Sequence, residues 1–195
     1  MDELVFIQLS IRTKERLYAK TYQRLRNACA GEWSQLIEMN KSTVLEILEQ
    51  GGMAELKWLR LTAQISRIIE AFGSATLLPL RRMTTEAAEE FLTSLPGVGP
   101  KTARCVLLYS LDRAVFPVDS HCLRVMARLG FLPERVDRKA AHDVLQDLVP
   151  VDLRHSLHVN LVHHGRSLCI GRNPRCEPCP VLDLCPTGDS AVNAQ

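Results

Sequence analysis

Cys169, Cys176, Cys179 and Cys185 follow one another with six, two and five residues between them. Four thiolates in so short a stretch can wrap one metal centre, and soft sulfur ligands select zinc or an iron-sulfur cluster over magnesium or calcium. Structural zinc sites usually come as two close pairs joined by a longer connection. Here only Cys176 and Cys179 make a tight pair, a pattern that suits a cubane cluster better. Disulfides would need an oxidising compartment, and the opening Met1-Asp2-Glu3, with its short apolar stretch from Leu4 to Leu9, does not read as a secretory signal. Cys29, Cys105 and Cys122 are scattered through apolar patterns and read as small buried hydrophobes. His155, His158, His163 and His164 read as packing or hydrogen-bonding residues, because four cysteines already complete a ligand set.

A second chemical signal is Leu95-Pro96-Gly97-Val98-Gly99-Pro100-Lys101-Thr102-Ala103, a glycine-punctuated turn between two helical patterns. Gly97 and Gly99 permit backbone angles and close approaches that a Cβ would forbid, so amide N–H groups can point outward at a helix start. Such a turn suits a phosphate, with Leu95 and Val98 tucked inward to fix it. It is no P-loop, since the glycine-to-lysine spacing is wrong and no strand precedes it. Lys101 stands where the turn becomes a helix, placed either to contact phosphate or to attack carbon. Asp119 precedes Ser120-His121-Cys122-Leu123 and caps the start of another helix.

The elements that must position these groups are helical. Leu4 to Arg26 carries apolar residues at a spacing near 3.6, as one amphipathic helix or two in series. Trp33 to Met39, Val44 to Leu48 and Ala54 to Phe72 follow, the last opened by Gly51-Gly52 and closed by Gly73. Thr84, Thr85 and Glu86 open a helix to about Leu92. Lys101 to Leu111, Ser120 to Leu129, Ala140 to Leu148 and Leu153 to Leu168 supply the rest. Nothing alternates like a strand for long, so the fold class is all-α. A chain of 195 residues, 46% of them hydrophobic, can bury a core of one domain or two small ones. No apolar run approaches the roughly 20 residues that span a bilayer. The formal charge of +2 is too small to announce a nucleic-acid partner, so DNA binding must come from local patches.

Taken together, Leu95 to Ala103, Val118-Asp119-Ser120-His121, His164-Gly165-Arg166 and the cysteine loop resemble the endonuclease III family of helix-hairpin-helix DNA glycosylases, over almost the whole chain. The resemblance implies two helical domains flanking a DNA-binding cleft: a six-helix barrel with the hairpin over residues 1–111, and a domain holding a [4Fe-4S] cluster over residues 112–195. It implies a bifunctional DNA glycosylase and AP lyase in base excision repair, acting on oxidised pyrimidines or abasic sites. Lys101 would then be the nucleophile on C1′ and Asp119 the carboxylate supporting base departure, with Cys169, Cys176, Cys179 and Cys185 as cluster ligands. Gly97 and Gly99 would cradle DNA phosphate. Gly51-Gly52-Met53-Ala54 resembles the family's wedge loop, which places Met53 in the base stack or, alternatively, buries it at a helix start. Lys57 and Arg60 just beyond it would meet phosphate or, alternatively, stand solvated on the surface, and Arg172 and Arg175 within the cysteine loop are placed to face the DNA backbone.

Three departures stand out. Arg12, in Ser10-Ile11-Arg12-Thr13, occupies the place of a family glutamine and would contact the everted site or the opposite strand differently. The chain starts inside what resembles the first barrel helix, so an upstream segment packing on the cluster domain is not expected. Pro100 replaces a common basic residue and removes one N–H donor. The expected partner is double-stranded DNA carrying damaged bases or abasic sites, bound by a monomer away from membranes, in the cytoplasm and on the nucleoid. Two other readings are a mismatch-directed adenine glycosylase and a non-catalytic redox-sensing DNA-binding protein. The first sits poorly with the hairpin lysine and with only ten residues after Cys185, the second with the paired Lys101 and Asp119.

Overall fold

The computed structural model describes residues 1–133 and 135–188. The fold is all-α: helices and short 3₁₀ turns, with no strand among the described residues. The chain divides into two compact units, Met1–Arg113 and a second from Ala114 onward.

In the first unit, α1 (Asp2–Ser10) and α2 (Glu15–Ala28) share the apolar pattern that runs from Leu4 to Arg26. The pattern breaks at Ile11–Lys14, where Arg12 takes the left-handed conformation with φ 50°. A single turn, α3 (Gln35–Glu38), leads to α4 (Lys41–Glu49), capped by the Asn40 side chain, which accepts from Ser42 N at 2.9 Å. The long α5 (Ala54–Phe72) ends at Gly73, whose φ of 75° lets its N–H close back on Ile69 O. Thr84 caps α6 (Thr85–Ser94) through Ala87 N, and α7 (Pro100–Leu111) follows the glycine turn.

Helix α1 packs against α2, α5 and α7, so it is buried on more than one face and shows little amphipathicity. Val5 and Leu9 join Leu25, Leu36, Val44, Leu48, Leu61 and Ile65 in one core. Burying such side chains contributes about 1.5–3 kcal/mol each.

The second unit holds α8 (Ser120–Arg128), α9 (Arg138–Leu148) and α10 (Arg154–Ser167) around Phe116, Cys122, Val125, Leu145 and Leu161. The segment that enters it is pinned by polar contacts. Phe116 N donates to Gln146 Oε1 at 2.7 Å, and the Arg154 guanidinium donates to the carbonyls of Ala114, Gln146 and Val149. Cys29, Cys105 and Cys122 are buried, in keeping with their apolar surroundings. Among the described residues no helix is long and apolar enough to cross a membrane.

Gly165 is where α10 meets α8. A Cβ there would lie 2.8 Å from His121 Cβ and 3.2 Å from Arg124 Nη2. Overpacking of this kind costs about 1–3 kcal/mol. Gly165→Ala should therefore lower the denaturation midpoint by a loss in that range; an unchanged midpoint would show that the helices separate freely there.

Candidate functional site

In the turn between α6 and α7 three successive carbonyls have partners within the protein. Leu95 and Val98 are buried, tucked inward as their apolar types suggest. Leu95 O accepts from Val98 N at 3.1 Å, Pro96 O from Gln64 Nε2 at 2.7 Å, and Gly97 O from Gln8 Nε2 at 3.3 Å. Both glutamines are themselves 1% exposed, so their amides serve the turn rather than solvent. Gly97 has φ 73°, and a Cβ on it would sit 2.6 Å from Arg60 Nε. Arg60 thus lies over the turn, a use beyond the surface charge its sequence position suggests. Gly99 caps α7 from open space, with nothing within 4 Å of its Cβ position. Among the described residues the amides of Gly97 and Gly99 donate to nothing, which leaves them available to an anion.

Lys101 is the second residue of α7 and partly exposed. Pro100, at the first helical position, fixes φ where no intrahelical N–H bond is needed. Sequence reasoning missed Glu3 on α1. Burial raises its carboxyl above the ordinary range, while the charges of Lys101 and the terminal amine pull it back down. In sequence it is simply an acid in a first helical turn, and only the packing of α1 on α7 brings it to Lys101.

The exposed loops of this unit carry Arg12 and Met53. Met53 is 39% exposed, which overturns the alternative of a methionine buried at a helix start. It holds α5's N-terminal position in the left-handed region, φ 57° and ψ 38°. Lys57 requires a correction. Expected on the DNA backbone, it is 3% exposed, and its ammonium donates to Leu9 O, Thr13 Oγ1 and Gly51 O at 2.7–2.8 Å. All three of its protons are spent inside the protein, so none is left for a phosphate. Burial also pulls its pKa below the ordinary lysine value.

In the second unit, Asp119 caps α8. Its Oδ1 accepts from His121 N and Cys122 N, both at 2.8 Å. Burial would raise its carboxyl, but hydrogen bonds from Cys122 and the charges of His121 and His158 outweigh that and hold it below 3.8.

Cys169, Cys176, Cys179 and Cys185 line one pocket, partly open to solvent, with Val125, Leu129 and Leu182 among the apolar walls. Among the described residues no group of three or more His, Cys, Asp or Glu converges tightly enough to hold a single ion. The donor set is all sulfur, which suits a soft, thiolate-bound group rather than a hard cation. Helix α8 grips the loop. Arg128 Nη1 donates to Cys169 Sγ at 3.2 Å and to Ile170 O at 2.8 Å, and Arg124 Nε donates to Cys169 O at 2.9 Å. His164 Nε2 lies 3.7 Å from Cys179 Sγ. Its pKa is lowered, first by burial and then by the charge of His163. Arg172 and Arg175 are exposed on the loop between the first two cysteines.

The helix-hairpin-helix motif model matches residues 86–109. An endonuclease III from Thermotoga maritima is 30% identical over 183 residues, spanning 93% of this chain and 80% of that protein. A putative DNA glycosylase from Arabidopsis thaliana is 30% identical over 166 residues. There the match takes in 85% of this chain but only 56% of the relative, and with DEMETER-like protein 2 of the same plant it takes in 13%. This chain therefore spans about half or less of those two relatives. Among solved structures, a non-covalent endonuclease III–DNA complex superposes with a TM-score of 0.86 at 24% identity, covering 98% of this chain and 85% of that one. A thermostable thymine-DNA glycosylase superposes with a TM-score of 0.83 at 21% identity, covering 97% and 84%. At those identities the superpositions establish the fold.

The two duties of Asp119 can be separated. Asparagine caps as well as aspartate, so Asp119→Asn should keep the α8 start, whereas Asp119→Ala should lose about 1 kcal/mol. Because the folded carboxyl is depressed, its charge-linked stabilisation is fully present above the ordinary value near 3.8 and lost as pH falls through the depressed one. The stability gap between wild type and Asp119→Asn should close on acidification; a gap that widens toward low pH would contradict this.

Proposed function

Since this chain belongs to the endonuclease III family, we propose that it is a DNA glycosylase with AP lyase activity, acting on duplexes that contain oxidised pyrimidines or abasic sites. The observation that supports this reading is the turn from Leu95 to Gly99, with the Pro96 and Gly97 carbonyls tied inward, the Gly97 and Gly99 amides free, and Lys101 on the first turn of the helix it opens. A DNA phosphate accepted by those amides would bring the sugar-phosphate chain to the lysine.

The target carbon is hidden in a duplex, so the nucleotide must be everted at a cost of a few kcal/mol, which damage or mispairing reduces. Lys101, after giving up a proton, adds its nitrogen to C1′ as the bond from C1′ to the base breaks and the base leaves protonated. Opening of the sugar ring gives an imine. Loss of a C2′ proton then expels the 3′ phosphate, nicking the strand, and water frees the lysine. The Asp119 carboxylate, held ionised, stabilises positive charge on the sugar as the base departs. Arg12, Met53, Arg172 and Arg175 are the exposed residues proposed to meet the DNA.

We further propose that Cys169, Cys176, Cys179 and Cys185 hold a [4Fe-4S] cluster, which would supply a covalent clasp for the loop rather than chemistry at the sugar. Arg124 and Arg128 keep that loop on α8. Purified protein should contain iron and acid-labile sulfide in equal amounts with a yellow-brown colour; zinc alone would contradict the proposal.

The test of the lysine is borohydride reduction in the presence of abasic-site duplex. Wild type should form a covalent adduct and Lys101→Ala should form none. An undiminished adduct in the variant would remove Lys101 from its role.

A further inference from the structure

Two exposed connections of the first unit each hold a non-glycine residue in the left-handed region: Arg12 between α1 and α2, Met53 between α4 and α5. That conformation costs free energy and persists only where the surroundings impose it. The imposing contact is shared. Lys57 Nζ donates to Leu9 O at 2.8 Å at the end of α1, to Thr13 Oγ1 at 2.7 Å beside Arg12, and to Gly51 O at 2.7 Å ahead of Met53. Thr13 Oγ1 in turn lies 2.5 Å from Gly51 O and donates to it, closing a small network between the two connections. Gly51 has no room to spare: a Cβ would lie 3.2 Å from Thr21 Oγ1 and 3.6 Å from Lys57 Nζ.

An ammonium has three protons and here has three acceptors, all from these two connections or the helix end that leads into the first. Loss of any one acceptor would leave a buried charge short of a partner, so the arrangement resists slack. What it holds in place is an apolar, unbranched side chain and a cationic one, both in solvent. An apolar tip can enter a base step and a guanidinium can take a phosphate or a base edge, but the two succeed together only if their spacing is set.

We propose that Lys57 is a positioning residue that locks the Arg12 and Met53 connections into one two-pronged surface for opening the base stack of duplex DNA. This rests on the DNA glycosylase and AP lyase reading above. Lys57 itself touches no DNA; it acts through Thr13 and Gly51.

The experiment compares wild type, Lys57→Met and Thr13→Val, each as the full chain, on one abasic-site oligonucleotide presented single-stranded and as a duplex. A single strand has no stack to open, so only the duplex needs the positioned pair. Both variants should trap the single strand at a rate within about twofold of wild type, and the duplex at least about tenfold more slowly, since small misplacements of positioning groups cost one to two orders of magnitude. If either variant keeps the wild-type ratio of duplex to single-strand rates, the proposal is overturned. A proportional loss on both substrates would overturn it too, by making Lys57 a support of the fold alone. Should Lys57→Met fail to fold, Thr13→Val decides, because it removes the bridging hydroxyl and keeps the side-chain shape. If wild type traps neither substrate, the lyase reading fails separately. Lys57 is then judged by 2-aminopurine fluorescence in a duplex holding a tetrahydrofuran abasic analogue: a rise with wild type that both variants lose supports it, and an equal rise with all three proteins overturns it.

Discussion

Backbone carbonyls that leave a helix must be satisfied somewhere, and in this protein the satisfaction of the Pro96 and Gly97 carbonyls determines what the hairpin can do. Gln64 from α5 and Gln8 from α1 take those two groups from the inside. The turn therefore keeps those two carbonyls inside and leaves the Gly97 and Gly99 amides without an acceptor among the described residues, and α7 starts with Lys101 in its first turn. Were those carbonyls turned outward instead, they would repel the phosphate proposed to sit there. Helix α1 packs against α5 and α7, which brings both glutamines, buried beside Leu9 on α1 and Leu61 and Ile65 on α5, to the turn.

A similar economy of buried polar groups runs through each unit. In the first, one ammonium holds three acceptors that would otherwise need water. In the second, Arg124 and Arg128, one turn apart on α8, take the carbonyls of Gly165, Cys169, Ile170 and Gly171. These are loop and helix-end carbonyls, the groups that regular secondary structure leaves unpaired. The cysteine-bearing loop thus has an ordered edge on α8, and the four sulfurs border the pocket next to it.

Much of this was readable from the chain. Thr84 and Asp119 cap the helices their types suggest, because capping depends on residues two or three positions away. The inward turn of Leu95 and Val98 is local in the same sense. Lys57 was not readable. A lysine near the start of an amphipathic helix reads as solvated, and its burial is decided by Leu9 and Thr13, 48 and 44 residues earlier. Gln8, Gln64 and Glu3 escaped notice for the same reason: their partners are distant in sequence, and periodicity marks only which face is apolar, not which polar atom is wanted beneath it. The 3₁₀ turns at Leu78–Arg82 and Val151–Leu153 are too short to leave a period.

Attack of the Lys101 nitrogen on the sugar, as proposed, is tested most directly by digesting the borohydride-reduced complex with abasic DNA and locating the modified residue by mass spectrometry. The sugar remnant is expected on Lys101 alone. A remnant on the Met1 amine or another lysine, with Lys101 unmodified, would contradict it.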